Sequence, residues 1–599
     1  MRQVSRDRKN ARVWRRSFLI YPIVAALALI VEFIVFGLWQ ANLGHPFVYS
    51  GDAAFSGALV KGMVESGRLW VNTSLGAPGA LNLLDYPSAD LLHHALMKII
   101  SLLHGNWAFA INIYYLLGYP AAAVTAAWAM RRFGLSAPSS VAMGLLYAFL
   151  PYHLFRNEGH LFLSAYYMVP LLAVLAVELA SNRPPLVDVE GPLPKLRGIR
   201  ARETWLPLVV CVLAGGAGIY YVFFGAFFLM AGGVIGWWQR SDRTRLYAAG
   251  LLTATMLTSC VLNLAPFIWF RHVAGVNPAV GARSAVEAEI FSLKITHILL
   301  PTINHRVPFL ASIRESYLAS SATVFGPSMI GETSFVALGV VGSLGFLLLI
   351  WLLIFGTRKP RSSDAETIAM TLARFNGAGL LLATWGGFGA LIALGFPQIR
   401  AYNRIIVFLG LFAFFGVGWA LDRITDKVRP AWRATVLSCV LIVVTVIALF
   451  DQIPTLGFDH KGQTVSWHAT ESFVRRVEEK LPSGAMVLQL PYVPFPENPP
   501  VEGMTDYDHF KPYLVSTKIH WSYGAVKGRE DAEWLARVSA LPAEQLVTAV
   551  SDKGFKGVWV DRFGYADTGS AIIAALEAAS GTKARLSADG RYAFIALAR

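Results

Sequence analysis

Long apolar runs recur through most of this chain, each closed by a short polar connection, and the pattern predicts membrane-crossing helices. A helix needs roughly 20 apolar residues to cross the hydrocarbon core. Eleven runs are read as spans: residues 17–40, 107–130, 138–155, 162–181, 205–218, 219–238, 247–270, 335–356, 375–396, 405–421 and 434–450. Only AGGAG interrupts the stretch 205–238, whose length suits two short or tilted helices better than one. The run SADLLHHALMKIISLLHG is broken by His93, His94 and Lys98, so it reads as an interfacial helix and not as a span. The middles of the spans are read as lacking ionisable residues. Beyond residue 450 the period changes. TESFVRRVEEKL is an amphipathic helix starting near a threonine cap, Thr470, and MVLQLPY, GVWVDRF and YAFIALA are short β-rich runs separated by helical stretches such as DAEWLARVSAL and AIIAALEAA. The expected fold is therefore a polytopic α-helical membrane protein, residues 1–450, followed by an α/β domain, residues 451–599.

Composition and charge fix how this pattern sits in a bilayer. The chain has 599 residues, 55% apolar and 15% charged, with a formal net charge of +14. Residues 451–599 hold 16 Lys/Arg against 18 Asp/Glu, so the whole positive excess lies in the membrane part. Such an excess anchors cytoplasmic loops, and nucleic acid is not an expected partner. Arg131 and Arg132, the segment with Lys195, Arg197, Arg200 and Arg202, then RSDRTR, TRKPR and DRITDKVRPAWR all fall on the side of the basic N-terminus MRQVSRDRKNARVWRR. The first apolar run is too long for a signal-peptide core and reads as an uncleaved anchor. The three cysteines, Cys211, Cys260 and Cys439, lie unpaired inside apolar runs and read as packing residues.

This topology puts four pieces on the far side of the membrane: residues 41–106, the turn 155–160, residues 271–334 and the C-terminal domain. There is no ATP or nucleotide sugar there. Asp52 opens a helical pattern behind Gly51; it is either a helix cap or a reactive carboxylate at the head of an elaborate loop that also holds Lys61 and Asp85. PYHLFRNEGH crowds His153, Arg156, Glu158 and His160 into one short turn, more polar groups than closure needs, with interfacial anchoring as the plain alternative. PQIRAYNR carries Arg400 and Arg404 against the positive-inside bias, which suits a phosphate or pyrophosphate, or snorkelling to lipid headgroups. Glu332, just ahead of the eighth run, is a site acid or only a helix-start acid.

These features resemble the GT-C superfamily of integral membrane glycosyltransferases. The likeness consists of an early acidic residue in the first outer loop, two membrane-edge helices (52–66 and 90–104), polar outer turns and a C-terminal extracytoplasmic domain. GDAAFSGALVKGMVESGRLW, PYHLFRNEGHLFLSAYY, QIRAYNR, LQLPYVPFPE, TDYDHFKPYL and WSYGAVKGR further resemble a group of bacterial membrane proteins placed near such transferases. The superfamily's tandem acidic motif is absent, since Gly51-Asp52-Ala53 has one carboxylate.

The resemblance implies a multi-pass protein of the bacterial inner membrane, N-terminus in the cytoplasm. It would transfer a sugar from a polyprenyl-phosphate donor to a glycan or lipid acceptor outside. Asp52 would be the general base. Arg400, Arg404, Arg156 and Lys61 would hold the donor phosphate, and His153, His160, Asp85 and Glu332 would contact acceptor or sugar. Glu158 would act as a second acid, or share a divalent metal ion with Asp52. No soluble cofactor is required. The acidic and aromatic patches TDYDHFKPY and WSYG would recognise the acceptor. The rival from another class is a transporter or flippase for a lipid-linked saccharide, which predicts broken helices with polar residues at the midplane; a non-enzymatic assembly protein is the third.

Overall fold

The computed structural model describes residues 19–189, 194–198, 201–326, 332, 335–356, 364–455 and 459–597. The basic N-terminal segment, Arg200 and TRKPR lie outside the described residues. The chain folds as a bundle of apolar helices carrying an α/β unit at one end. Among the described residues, five helices are long and apolar enough to cross a membrane: Trp107–Arg132, Ile219–Arg240, Thr244–Ala274, Tyr402–Thr425 and Pro430–Gln452. Shorter apolar helices accompany them, among them α1 (Ile20–Val35) and the helices Val169–Ala180 and Gly339–Phe355. Close approach between helices depends on glycine: a Cβ on Gly232 would lie 2.1 Å from the Ala176 carbonyl oxygen, and one on Gly345 2.0 Å from that of Ala413.

Several predicted runs are interrupted where they reach the polar loops. Run 138–155 stops at Ala148 and restarts as Pro151–Arg156, with proline in the first turn. Run 162–181 is a single turn, Leu161–Ser164, followed by Val169–Ala180. Run 375–396 divides into Asp364–Ala383 and Phe388–Gly395 around Gly386 at φ +69°. AGGAG ends Arg202–Gly215 and starts Ile219–Arg240, with Gly218 at φ +99°. Apolarity alone registers no such breaks, because one Pro or Gly, near neutral in hydropathy, barely lowers the average of a long apolar window. Two expectations need correcting. Glu32 lies inside α1 and is only 1% exposed, so the spans are not free of ionisable side chains. Cys439 is exposed on the helix Pro430–Gln452, whereas Cys211 and Cys260 are packed.

The described basic connections do gather at one end. Arg132 pairs with Glu178, Arg423 with Glu366, Arg245 donates to the carbonyls of Leu179 and Ser181, and Asp422 accepts from Ser136 and Ser139. The opposite end carries the long loops. There α2 (Asp52–Ser66) and α3 (Leu91–His104) lie on the bundle. The helix α3 buries His93, His94 and Met97 yet leaves Leu102 and Leu103 bare at 76% and 81%, as expected of a helix whose free face meets lipid.

The C-terminal unit holds a five-stranded sheet of order β2-β1-β3-β5-β4, with β1 Met486–Leu490, β2 His520–Trp521, β3 Phe555–Asp561, β4 Arg585–Leu586 and β5 Tyr592–Ala596. β1 runs parallel to both β2 and β3, while β5 is antiparallel to β3 and β4. The amphipathic helix spans His460–Glu478 and is capped by Asp459, ten residues ahead of the expected start; Thr470 sits inside it, its hydroxyl returned to the Ser466 carbonyl.

The first loop is tied into this sheet. Trp521 N–H donates to the Ser74 carbonyl at 2.9 Å, Gly76 N–H to that of Tyr523 at 2.9 Å, and Ala77 N–H to that of Trp521 at 3.0 Å. The loop thus extends the β2 edge, and α2 lies between the bundle and the helix Phe510–Val515 of the C-terminal unit.

Candidate active site

Gly51 at φ +57° and ψ −143° takes a conformation open to glycine, and it aims the start of α2 so that Asp52 is the first helical residue. The Asp52 carboxylate accepts no backbone N–H among the described residues, so it is free of the capping duty that its position suggests. It faces His160, whose Nε2 is 3.5 Å from Asp52 Oδ2 and 3.8 Å from Glu332 Oε1. Glu332 in turn binds two guanidiniums: Arg156 Nη2 donates to Oε2 at 2.8 Å and Arg404 Nη2 at 3.1 Å. The next α-helix starts at Gly339, and Glu332 itself has 3₁₀ conformation.

The two arginines are held by ring faces. The Arg404 guanidinium lies 4.1 Å from the Tyr220 centroid, and that of Arg156 lies 5.1 Å from Tyr152 and 5.8 Å from Phe335. Fixed this way, they share a single carboxylate. Arg156 Nε and Nη1 and Arg404 Nε remain buried with no partner among the described residues. Unpaired buried donors are costly, and an incoming anion satisfies them.

Electrostatics set the three titratable groups apart. Burial, then the charges of Asp506 and Glu332, lift the Asp52 carboxyl to about 6 against the opposing pull of Arg156 and Arg404. Burial and then the Arg156 charge push His160 down to about 3, so its imidazole is neutral near pH 7. Burial works against ionisation of Glu332, but Arg404 and Arg156 outweigh it and hold the carboxyl well below the usual range. A basic carboxylate thus faces a cation pair across a neutral imidazole.

Five of the ten residues singled out from the sequence meet here: Asp52, Arg156, His160, Glu332 and Arg404. The other five lie elsewhere. Glu158 turns away from Asp52 and accepts the Val48 N–H at 3.0 Å; its burial raises the carboxyl to about 8. It therefore braces the segment that leads into Asp52 and does not share its pocket. His153 is buried, stacked 3.7 Å from Tyr119, and donates from Nδ1 to the Ala148 carbonyl. Lys61 pairs with Glu65 over the Tyr513 ring, and Arg400 pairs with Glu287 over Phe291. Asp85 accepts from Arg529 at 2.7 and 2.8 Å.

Sequence reasoning did not single out Tyr220, which is one apolar-run aromatic among many. Asp506 is marked only as part of the acidic, aromatic segment TDYDHFKPY. As for a divalent ion, Glu332 already spends its charge on two guanidiniums and Glu158 faces away. Among the described residues no group of three or more His, Cys, Asp or Glu is set to hold a metal.

No family model matches this chain, and no curated protein matches it. Solved structures do. An oligosaccharyltransferase from Archaeoglobus fulgidus, in the apo form, is 12% identical with a TM-score of 0.45, over 90% of this chain and 69% of its own. ArnT from Cupriavidus metallidurans, bound to undecaprenyl phosphate, is 13% identical with a TM-score of 0.44, over 95% of this chain and 97% of its own. The arabinofuranosyltransferase AftD from Mycobacteria is 14% identical with a TM-score of 0.46, over 90% of this chain and 36% of its own. The likenesses are loose in both identity and superposition.

Proposed function

We propose that this chain is a membrane glycosyltransferase that moves a sugar from a polyprenyl-phosphate donor to an acceptor hydroxyl on the non-cytoplasmic side, with the loop-bearing end of the bundle facing outward. The observation that carries it is the Asp52 carboxyl, raised to about 6, set beside the under-paired guanidiniums of Arg156 and Arg404 at the edge of an apolar bundle. A general base works best with a pKa near the operating pH. A phosphate leaving group needs fixed cations in a water-poor site. A lipid-borne donor explains why both stand where the helices meet the loops.

In this mechanism the acceptor oxygen attacks the anomeric carbon as its proton passes to Asp52. The carbon–oxygen bond to the lipid phosphate breaks, and the phosphate leaves with the electron pair. Arg156 and Arg404 take up the charge that develops there through their spare N–H groups. Glu332, bound by both guanidiniums, offsets their mutual repulsion. Neutral His160, bridging Asp52 and Glu332, orients the carboxylate without competing for the proton. No step requires a metal or a soluble cofactor.

The test is label transfer in proteoliposomes containing radiolabelled polyprenyl-phosphate sugars and a crude envelope acceptor fraction. Lipid-bound label should fall and acceptor-bound label should rise with the wild-type protein, and neither should change with Asp52→Asn. Label that crosses the bilayer still attached to its lipid, with no acceptor product, would instead establish a flippase.

A further inference from the structure

The loop of the C-terminal unit that faces the head of α2 leaves one carboxylate outside its own bonding. In Thr505-Asp506-Tyr507-Asp508 the Asp508 carboxylate closes the loop from inside. It accepts from the Thr505 N–H at 3.0 Å and the Thr505 hydroxyl at 2.8 Å, and it pairs with Lys511 and Arg591 at 2.7 Å each. Tyr507 takes φ +63°, a left-handed backbone that a bulky residue rarely adopts, and its hydroxyl oxygen accepts the Glu497 N–H at 3.2 Å. Such a conformation persists only where its surroundings enforce it. Between these two, Asp506 Oδ1 is buried and has no partner among the described residues. An unmet carboxylate oxygen beside an enforced conformation points to a role outside the loop itself.

Aromatic packing decides where this loop is held. Phe55 of α2 stacks on Tyr507 at 5.2 Å and on Phe510 at 6.0 Å, and meets Phe495 edge-on at 5.6 Å. Asp52 and Phe55 stand three residues apart and share one face of α2, so the stack brings the residue before Tyr507 to the helix start. The Asp506 charge acts on Asp52 from there. From the bundle side, Glu332 acts in the same sense, Arg156 and Arg404 oppose both, and His160 touches Asp52 as a neutral ring. The Asp52 charge also reaches the hydroxyls of Tyr86 in the first loop and Tyr507 in the C-terminal unit. Asp506 itself faces Asp508 on its own loop and Tyr523 just past β2. The bundle cations and the carboxylate of the C-terminal unit therefore pull the Asp52 proton balance in opposite directions.

We propose that the C-terminal unit completes the candidate active site through Asp506, a positioning residue held toward Asp52 by the Phe55 stack, so that the first-loop carboxylate takes an acceptor proton at full strength only while that unit is docked on α2. The proposal rests on the transferase reading for the acceptor proton; the coupling of the two carboxylates does not.

The experiment titrates Asp52 directly, without turnover, by infrared difference spectroscopy of the full chain in lipid nanodiscs. The carboxyl band that wild type shows and Asp52→Asn lacks is followed between about pH 4 and 8. Its midpoint should fall by about half a pH unit or more in Asp506→Asn and stay in place in Asp506→Glu. It should also fall in Phe55→Ala, which loosens the hold without touching either charge, and Asp506→Asn should add little to that variant because both act through one contact. Asp506→Ser removes the same charge and decides the matter if Asp506→Asn unfolds. A midpoint unmoved by loss of the Asp506 charge, a midpoint unmoved in Phe55→Ala, or a wild-type band that already titrates in the usual carboxylate range overturns the proposal. The expected shifts without any label transfer by the wild type leave the coupling standing and sink the transferase. Label transfer that is lost in Asp52→Asn, with a midpoint unmoved in Asp506→Asn, does the reverse.

Discussion

Two sets of arginine–carboxylate contacts occupy the same end of this molecule and draw on the same residue types, yet they differ in how the pairing closes. In one, every partner is used. Arg283 and the Tyr86 hydroxyl share Glu497, Arg400 pairs with Glu287, and Arg529 takes both oxygens of Asp85. These contacts join the first loop, the 271–290 segment and the C-terminal unit, and their charges cancel. In the other, Arg156 and Arg404 share one carboxylate, while Asp52 has no cation of its own. Closed pairing fastens loops; open pairing leaves donors and a basic carboxylate for a ligand. A residue's chemistry is therefore read from its unmet valences more than from its type.

The sharpest way to break this contrast is to remove the open carboxylate. Asp52→Asn should lower transfer by about 10²–10⁴-fold, the range for a lost general base. Its stability effect has the opposite sign. A carboxyl raised above its unfolded value favours folding only while protonated, and that contribution is lost as pH rises through about 6. The variant should therefore melt no lower than wild type at pH 7.5, as differential scanning fluorimetry will show. Next in size, Arg404→Lys should cost about 10²-fold in kcat, because an ammonium keeps the charge but loses both the fork and the stack on Tyr220. Single-turnover rates at saturating donor measure it.

The closed contacts should respond in stability instead. Asp85→Asn removes a carboxylate that is almost fully buried against a guanidinium that is partly exposed, for a loss of about 1–3 kcal/mol. Denaturant melts should register it, and activity per folded molecule should hold. The smallest effect is expected at Lys61, which shares α2 with Asp52 but pairs with exposed Glu65. Lys61→Met keeps the buried stem, and kcat/KM should stay within about twofold.

The fold was largely legible because its two periods are strong. Apolar runs marked the long bundle helices, and β-rich and amphipathic stretches marked β1, β3, β5 and helices beside them, whereas the helix Pro308–Phe325 and the two-residue strands β2 and β4 carried no such mark. What sequence could not show were the breaks at Leu150–Pro151 and Gly386, and the way residues 74–77 extend the sheet edge, since backbone pairing leaves no side-chain signature. The candidate site was legible as a list of polar residues in outer turns. It was not legible as a selection. Glu158 and His160 stand two positions apart in one turn, and only the positive φ of Asn157 and the tight path through Gly159 send one carboxyl under the loop and the imidazole toward Asp52. Likewise Arg400 and Arg404 differ by a turn of 3₁₀ helix, Tyr402–Ile405, which decides which guanidinium meets Glu332.

The most direct test of the central claim is the pH dependence of single-turnover sugar transfer between pH 5 and 8. His160 and Glu332 titrate below this window, so the free-base requirement falls on Asp52. The rate should rise tenfold per pH unit up to about 6 and then level off, and the residual rate of Asp52→Asn should lack this limb. A wild-type profile that is flat across the window, or a limb that persists in Asp52→Asn, would contradict Asp52 as the base.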